Sequence, residues 1–121
     1  MNEATAAPRR IWLCADDYGI SAAVDLAIRD LVVRGRLNAT SVLVVAPALR
    51  RAEAQALAAL DRVRPQVAIG LHVALTAPFP PASAGFAPLA GGAFPPLATV
   101  LRMALLRRLR HEALVREIEA Q

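Results

Sequence analysis

Ile11-Trp12-Leu13-Cys14-Ala15-Asp16-Asp17-Tyr18-Gly19-Ile20-Ser21 is the stretch from which the fold is read. Apolar residues run straight into two adjacent carboxylates, followed by an aromatic, a glycine and a serine. The uncharged, partly aromatic run predicts a buried strand. Gly19 can take a turn conformation closed to other residues, and Ser21 suits the N-cap of the apolar-periodic stretch that follows. The expectation is strand, acidic turn, helix. Two acids ending a buried strand repel each other and lose hydration, so they need a stabilising partner, of which a cation is the simplest. One acid capping the helix while the other stays solvated is the alternative that the pair alone leaves open.

Outward from this stretch the pattern alternates. Val24, Ala27, Ile28, Leu31 and Val32 recur at helical spacing, with Asp25 in the first turn and Gly35 at the place of a left-handed C-cap. Thr40 to Val45 is β-branched and apolar, a second buried strand ended by Pro47. Leu49 to Val63 is alanine-rich and helical, stopped by Pro65. Val67 to Leu75 predicts a third strand with His72 late in the run. Residues 76–96 hold six prolines and three glycines and read as a long irregular loop, a lid or a disordered segment. From Leu97 to Gln121 a helical pattern returns, with Leu101, Leu105, Leu109, Ala113 and Ile118 along one side and arginines elsewhere, as in a core helix with a solvated face. Residues 1–10 read as a disordered lead-in. Strands separated by helices imply an α/β fold with a parallel sheet, whose active site lies at the carboxyl ends of the strands. That topology sets Asp16, Asp17 and His72 on one rim.

The 121 residues suffice for one small domain, and 27 of them are alanine, so the core is thinner than a 56% hydrophobic content suggests. All 14 basic residues are arginine, several at expected helix ends (Arg34, Arg36, Arg62, Arg64), where they suit the helix dipole. With aromatics at only 4% there are too few stacking platforms for a nucleic-acid partner, and the net charge of +4 does not argue for one. Cys14 is the single cysteine; it cannot form an internal disulfide, which fits a reducing cytoplasm and a packed, inert thiol. No run approaches the ~20 apolar residues of a membrane span, and the apolar run after Arg9-Arg10 is too short for an export signal.

An aspartate with a histidine is a mixed oxygen and nitrogen set suited to zinc or a similar divalent ion, and a catalytic zinc site keeps three protein ligands and one open position. Asp17 and His72 supply two; His111, beside arginines, reads as a surface residue. If Asp16 faces the metal-bound water, it can act as general base.

Ala15-Asp16-Asp17-Tyr18-Gly19-Ile20-Ser21, Asn38-Ala39-Thr40-Ser41 and Gly70-Leu71-His72-Val73-Ala74-Leu75-Thr76 resemble, in order, the motifs of the YdjC-like carbohydrate deacetylases, which include chitooligosaccharide deacetylases and hopanoid-biosynthesis-associated members. The resemblance covers residues 11–77 well and the closing stretch more loosely. It implies a (β/α) barrel-like fold and a divalent metal, zinc or magnesium, used to remove acetyl groups from N-acetylated sugars. It further implies Asp16 as catalytic base and Asp17 and His72 as metal ligands, with Tyr18, Thr40 and Ser41 binding substrate or supporting the rim. In the family a further histidine ligand lies downstream, in a domain about twice this long, as a barrel of ~250 residues would be. The chain is thus expected to be the N-terminal half of such a domain, one ligand short, completed by a complementing C-terminal half or a homo-oligomer. A non-catalytic fragment acting through protein association is the alternative. A receiver-type phosphoacceptor ranks last, since the chain has no lysine.

Overall fold

The computed structural model describes residues 9–121 and is α/β. Its described residues form three parallel strands, β1 (Cys14–Tyr18), β2 (Ala39–Val42) and β3 (Ala68–Leu71), side by side in that order. Helix α1 (Ala22–Val33) links the first two, and α2 (Arg51–Val63) links β2 to β3. Two further helices follow, α3 (Leu97–Leu105) and α4 (His111–Ala120). The sheet is open, with β1 and β3 at its edges. Most of the expected lead-in, residues 1–8, lies outside the described residues; Arg9 and Arg10 are exposed.

Helices α1 and α2 cover one face of the sheet. Ile28 and Val32 of α1 and Leu57 and Leu60 of α2 close over Tyr18, with Ala15, Val42 and Val67 packed against them. Burying side chains of this size stabilises by about 1.5–3 kcal/mol each. The ends of α1 are closed by local chemistry. Ser21 Oγ accepts the Val24 amide at 3.3 Å, as expected of an N-cap. At the other end, Gly35 has φ +68°, its amide bonds Val32 O at 2.9 Å and the Arg36 amide bonds Leu31 O at 2.8 Å, a Schellman ending. Arg64, at the end of α2, donates to the last carbonyl of α1, Val33 O, at 2.8 and 3.2 Å, satisfying a helix-end acceptor with positive charge.

Four expectations are corrected. The strand begins later than its apolar lead-in and runs through the acids: Ile11 and Trp12 are each 71% exposed and lie outside it. They are held instead by Asn38, which donates to Ile11 O at 2.8 Å and accepts the Leu13 amide at 2.6 Å. Cys14 is exposed rather than packed. The proline-rich segment 76–96 is packed rather than disordered; Phe86 and Phe94 are buried edge to face at 5.0 Å, and Phe79 and Ala77 join the backbone bonding that holds the segment.

The last correction concerns the closing helix, which is two helices. Arg107 takes φ +55°, its amide bonds Ala104 O at 3.0 Å and the Arg108 amide bonds Met103 O at 2.8 Å, so α3 ends in a Schellman turn built on an arginine. No glycine marks that turn. The break separates the expected leucine stripe: Leu101 and Leu105 of α3 are exposed, while α4 buries Ala113 and Glu117. No described helix is long and apolar enough to cross a membrane.

Glu117 is the buried acid that ties α4 down. Its carboxylate accepts the amides of Ala82 (2.8 Å) and Ser83 (2.9 Å), the Ser83 hydroxyl and Gln121 Nε2 (2.8 Å), while Gln121 itself brackets Ala74 N and O. Burial alone would raise its pKa; the hydrogen bonds outweigh that and hold it below the ordinary carboxylate value. A depressed folded-state pKa contributes stability that is complete above the unfolded value and lost as pH falls through the folded one. Urea midpoints measured as a function of pH should therefore fall on acidification below about 4.5, and Glu117→Gln should flatten that fall. Glu117→Ala should cost about 2–4 kcal/mol, because it orphans several partly buried donors.

Candidate metal centre

The acidic pair sits on an irregularity. Along β1 and β2 the partners are Cys14 with Ala39 and Ala15 with Thr40, but the next pair is Tyr18 with Val42. Two residues, Asp16 and Asp17, therefore stand opposite the single Ser41, the count of a β-bulge. Asp17 absorbs the extra residue with φ +65°, a left-handed conformation that aspartate tolerates better than most residues. A regular strand would send the two carboxylates to opposite faces and aim Asp17 at the helices. The bulge avoids this: Ala15 and Tyr18 both pack in the core, and both acids stay partly solvated.

Beyond the bulge, Ile20 N bonds Asp17 O at 3.0 Å, closing a turn around Gly19 at φ +104°. A side chain at Gly19 would also meet Leu49 Cβ at 3.0 Å and Leu43 O at 3.1 Å, so glycine is required there on two counts. Tyr18 is fully buried; its hydroxyl donates to Glu53 O at 3.0 Å and accepts from Arg29 at 2.6 Å, while Arg29 also pairs with the Glu53 carboxylate. Thr40, also buried, donates to Ala15 O at 2.8 Å where the strand ladder is interrupted. Tyr18 and Thr40 are thus both buried and hydrogen-bonded within the fold.

Above them the remaining residues converge. Ser41 Oγ lies 2.7 Å from Asp16 Oδ1 and 3.0 Å from His72 Nδ1, and His72 Nδ1 lies 3.3 Å from Asp17 Oδ1. His72 follows β3 directly, its amide bonded to Val42 O at 2.9 Å. Topology therefore brings Asp16, Asp17, Ser41 and His72 to one carboxyl-end rim. His111 is exposed at the start of α4 and takes no part in these contacts.

The hydroxyl of Ser41 has one proton. Given to Asp16, it holds that carboxyl below the ordinary range, helped by the Cys14 thiol 3.6 Å away and the nearby His72. The Ser41–His72 contact then closes as a hydrogen bond only with the proton on Nδ1. Serine, histidine and aspartate here do not make a nucleophilic triad: Ser41 and Asp17 meet the same ring nitrogen, whereas a triad uses one nitrogen for each. Desolvation, followed by the hydrogen bond to Asp16 and its charge, pushes the Cys14 thiol pKa up, which disfavours its nucleophilic thiolate form.

The Asp17 and His72 donors are one carboxylate oxygen and one imidazole nitrogen, and their 3.3 Å separation is about the edge of a tetrahedron of ligands drawn at zinc bond lengths. As donor types and spacing they fit a divalent ion. No cluster of three histidine, cysteine, aspartate or glutamate side chains able to hold an ion exists among the described residues, so the pair is one short of a three-ligand catalytic site.

Asp25 was legible in the sequence only as a first-turn acid. In the fold it is fully buried and accepts the Gly19 amide at 2.6 Å. A periodicity that leaves a charged residue on the apolar side of a helix was the available signal.

A family model described as YdjC-like protein matches residues 10–121, nearly the whole chain. The chain belongs to the YdjC-like family. No curated protein matches it in sequence.

Ser41→Ala should raise the Asp16 pKa toward the ordinary aspartate value, because the lost hydrogen bond favoured the ionised form; carboxyl-carbon NMR titration reads this directly. Gly19→Ala should destabilise the fold by more than about 1 kcal/mol in urea unfolding, since both φ and space oppose it.

Proposed function

We propose that this member of the YdjC-like family is a metal-dependent hydrolase that removes acetyl groups from N-acetylated carbohydrates of chitooligosaccharide or glycolipid type. The observation that carries the proposal is the bulged acidic pair held against His72 and Ser41 at the carboxyl ends of the strands. Hydrolysis of an acetamide needs a base to take a proton from the attacking water, positive charge at the carbonyl oxygen as it becomes an oxyanion, and cleavage of the C–N bond to acetate and an amine.

Asp16 is the base. It is exposed, and the Ser41 hydroxyl keeps it ionised and fixes the direction of one oxygen, leaving the other to face water. Asp17 and His72 would hold a divalent ion, zinc or magnesium, which when bound supplies the charge at the carbonyl oxygen. Binding through His72 Nδ1 needs that atom unprotonated, with the ring proton on Nε2.

The third ligand, in this proposal, comes from outside the described residues, on a segment that extends the sheet from β3 toward a (β/α) barrel-like domain. Support comes from β3 itself: all four of its residues are exposed, Ile69 and Leu71 among them, and its outer edge carries no proline or charge to deter pairing. Such a complementing half, or a second copy of the chain, is the partner proposed, in the cytoplasm.

The test is zinc-dependent acetate release from N-acetylated chitooligosaccharides, with and without a segment carrying a further histidine ligand. Activity should appear on adding both zinc and the segment. Asp16→Asn should lower kcat by 10²-fold or more with zinc still bound, a loss typical of removing a general base, whereas Asp17→Ala and His72→Ala should lose zinc. Failure of the completed protein to release acetate would sink the substrate assignment.

A further inference from the structure

We infer that Asp25, on α1 and outside the rim, is the positioning residue that holds Asp17 in its metal-binding conformation. The inference deepens the metal-site proposal by naming what presets one of its two ligands. Asp25 is completely buried, and its Oδ1 accepts the Gly19 amide at 2.6 Å, across six residues of chain. Gly19 lies inside the turn closed by Ile20 N on Asp17 O at 3.0 Å. The residue between, Tyr18, is pinned by its buried ring and by the Leu43 amide on its carbonyl at 2.8 Å. From Asp17 to Ile20 the backbone is thus held at both ends of the turn and at its middle amide. Asp17 enters this clamp with φ +65°, a conformation that persists only when its surroundings impose it.

Without Asp25 the Gly19 amide is a buried donor lacking a partner, and the turn gains by rotating it toward water. That rotation turns the whole Tyr18–Gly19 peptide, the unit next to the one that holds the Asp17 carbonyl, and from there changes the direction of the Asp17 carboxylate. The second oxygen of Asp25, Oδ2, has no hydrogen-bond partner among the described protein groups. One acceptor oxygen therefore suffices, and asparagine can supply it.

The experiment compares Asp25→Ala, Asp25→Asn and Ser21→Ala, the last removing the N-cap of the same helix without touching Gly19. Two readouts are taken on the 121-residue chain: the backbone chemical shifts of Asp17 and Ile20, which report the left-handed turn, and zinc affinity by competition with a chromophoric chelator. Asp25→Ala should move the Asp17 and Ile20 shifts and weaken zinc about 10- to 100-fold, the usual effect of losing an outer-shell support. Asp25→Asn should keep the wild-type shifts and restore affinity to within a few-fold. Ser21→Ala should lower stability but leave both readouts unchanged. Unmoved Asp17 shifts in Asp25→Ala, equal movement in Ser21→Ala, or no rescue by asparagine would each overturn the assignment. If neither the wild-type chain nor the chain supplied with the histidine-bearing segment binds zinc, the metal reading of the site falls, while the shift comparison still decides the role of Asp25.

Discussion

One extra residue in β1 governs the candidate centre. Adjacent residues of a strand point to opposite faces, so an uninterrupted β1 would drive one of the two acids into the packed face beneath α1 and α2. An unpaired buried carboxylate costs several kcal/mol, whereas the left-handed conformation of Asp17 costs about 1–3 kcal/mol. The smaller cost prevails, and the bulge lets Ala15 and Tyr18 face the core while both acids stay at the rim. The irregularity is thus the low-energy way to place two charges side by side on the edge of an apolar layer.

The rest of the α/β layer makes that irregularity rigid. Tyr18 anchors the far side of the bulge through its ring and through the Glu53 and Arg29 contacts that join α1 to α2. Thr40 answers the carbonyl that the interrupted ladder leaves free, and Ser41 spans from Asp16 to His72. Each of the three strands therefore contributes one part: the acids from β1, the hydroxyl bridge from β2 and the imidazole from the end of β3. A shift of register in any strand would disperse them.

Away from the rim the apolar surface is distributed unevenly. The face toward α1 and α2 is closed, yet Trp12, the residues of β3 and the leucines of α3 are exposed, Leu105 to 85%. The satellite core around Phe86 and Phe94 anchors the proline-rich segment to α4 and does not cover these patches. The molecule thus has one well-defended layer and one open side, and the acidic rim belongs to the strands that the defended layer orders.

Local chemistry was legible in the residues themselves. Ser21 had to cap, Gly35 had to end α1, Gly19 had to turn, and alternation of helical and β-branched runs implied a parallel sheet with Asp16, Asp17 and His72 at its carboxyl end. Those signals depend on one residue and its near neighbours. What they missed depended on contacts far along the chain. The bulge arises only where β1 meets β2, Tyr18 and Asp25 become buried only when α1 and α2 close on the sheet, and Arg107 could end α3 without the glycine that usually announces such a turn. Glu117 sits where a helical wheel predicts solvent or leucine, because its acceptors' partners, Ala82 and Ser83, lie 35 and 34 residues earlier. The sequence by itself thus determined which residues could make a metal-binding rim; only the tertiary structure decided that two neighbouring carboxylates share one side of a strand, since that choice is a balance between strain in one residue and the cost of burying a charge.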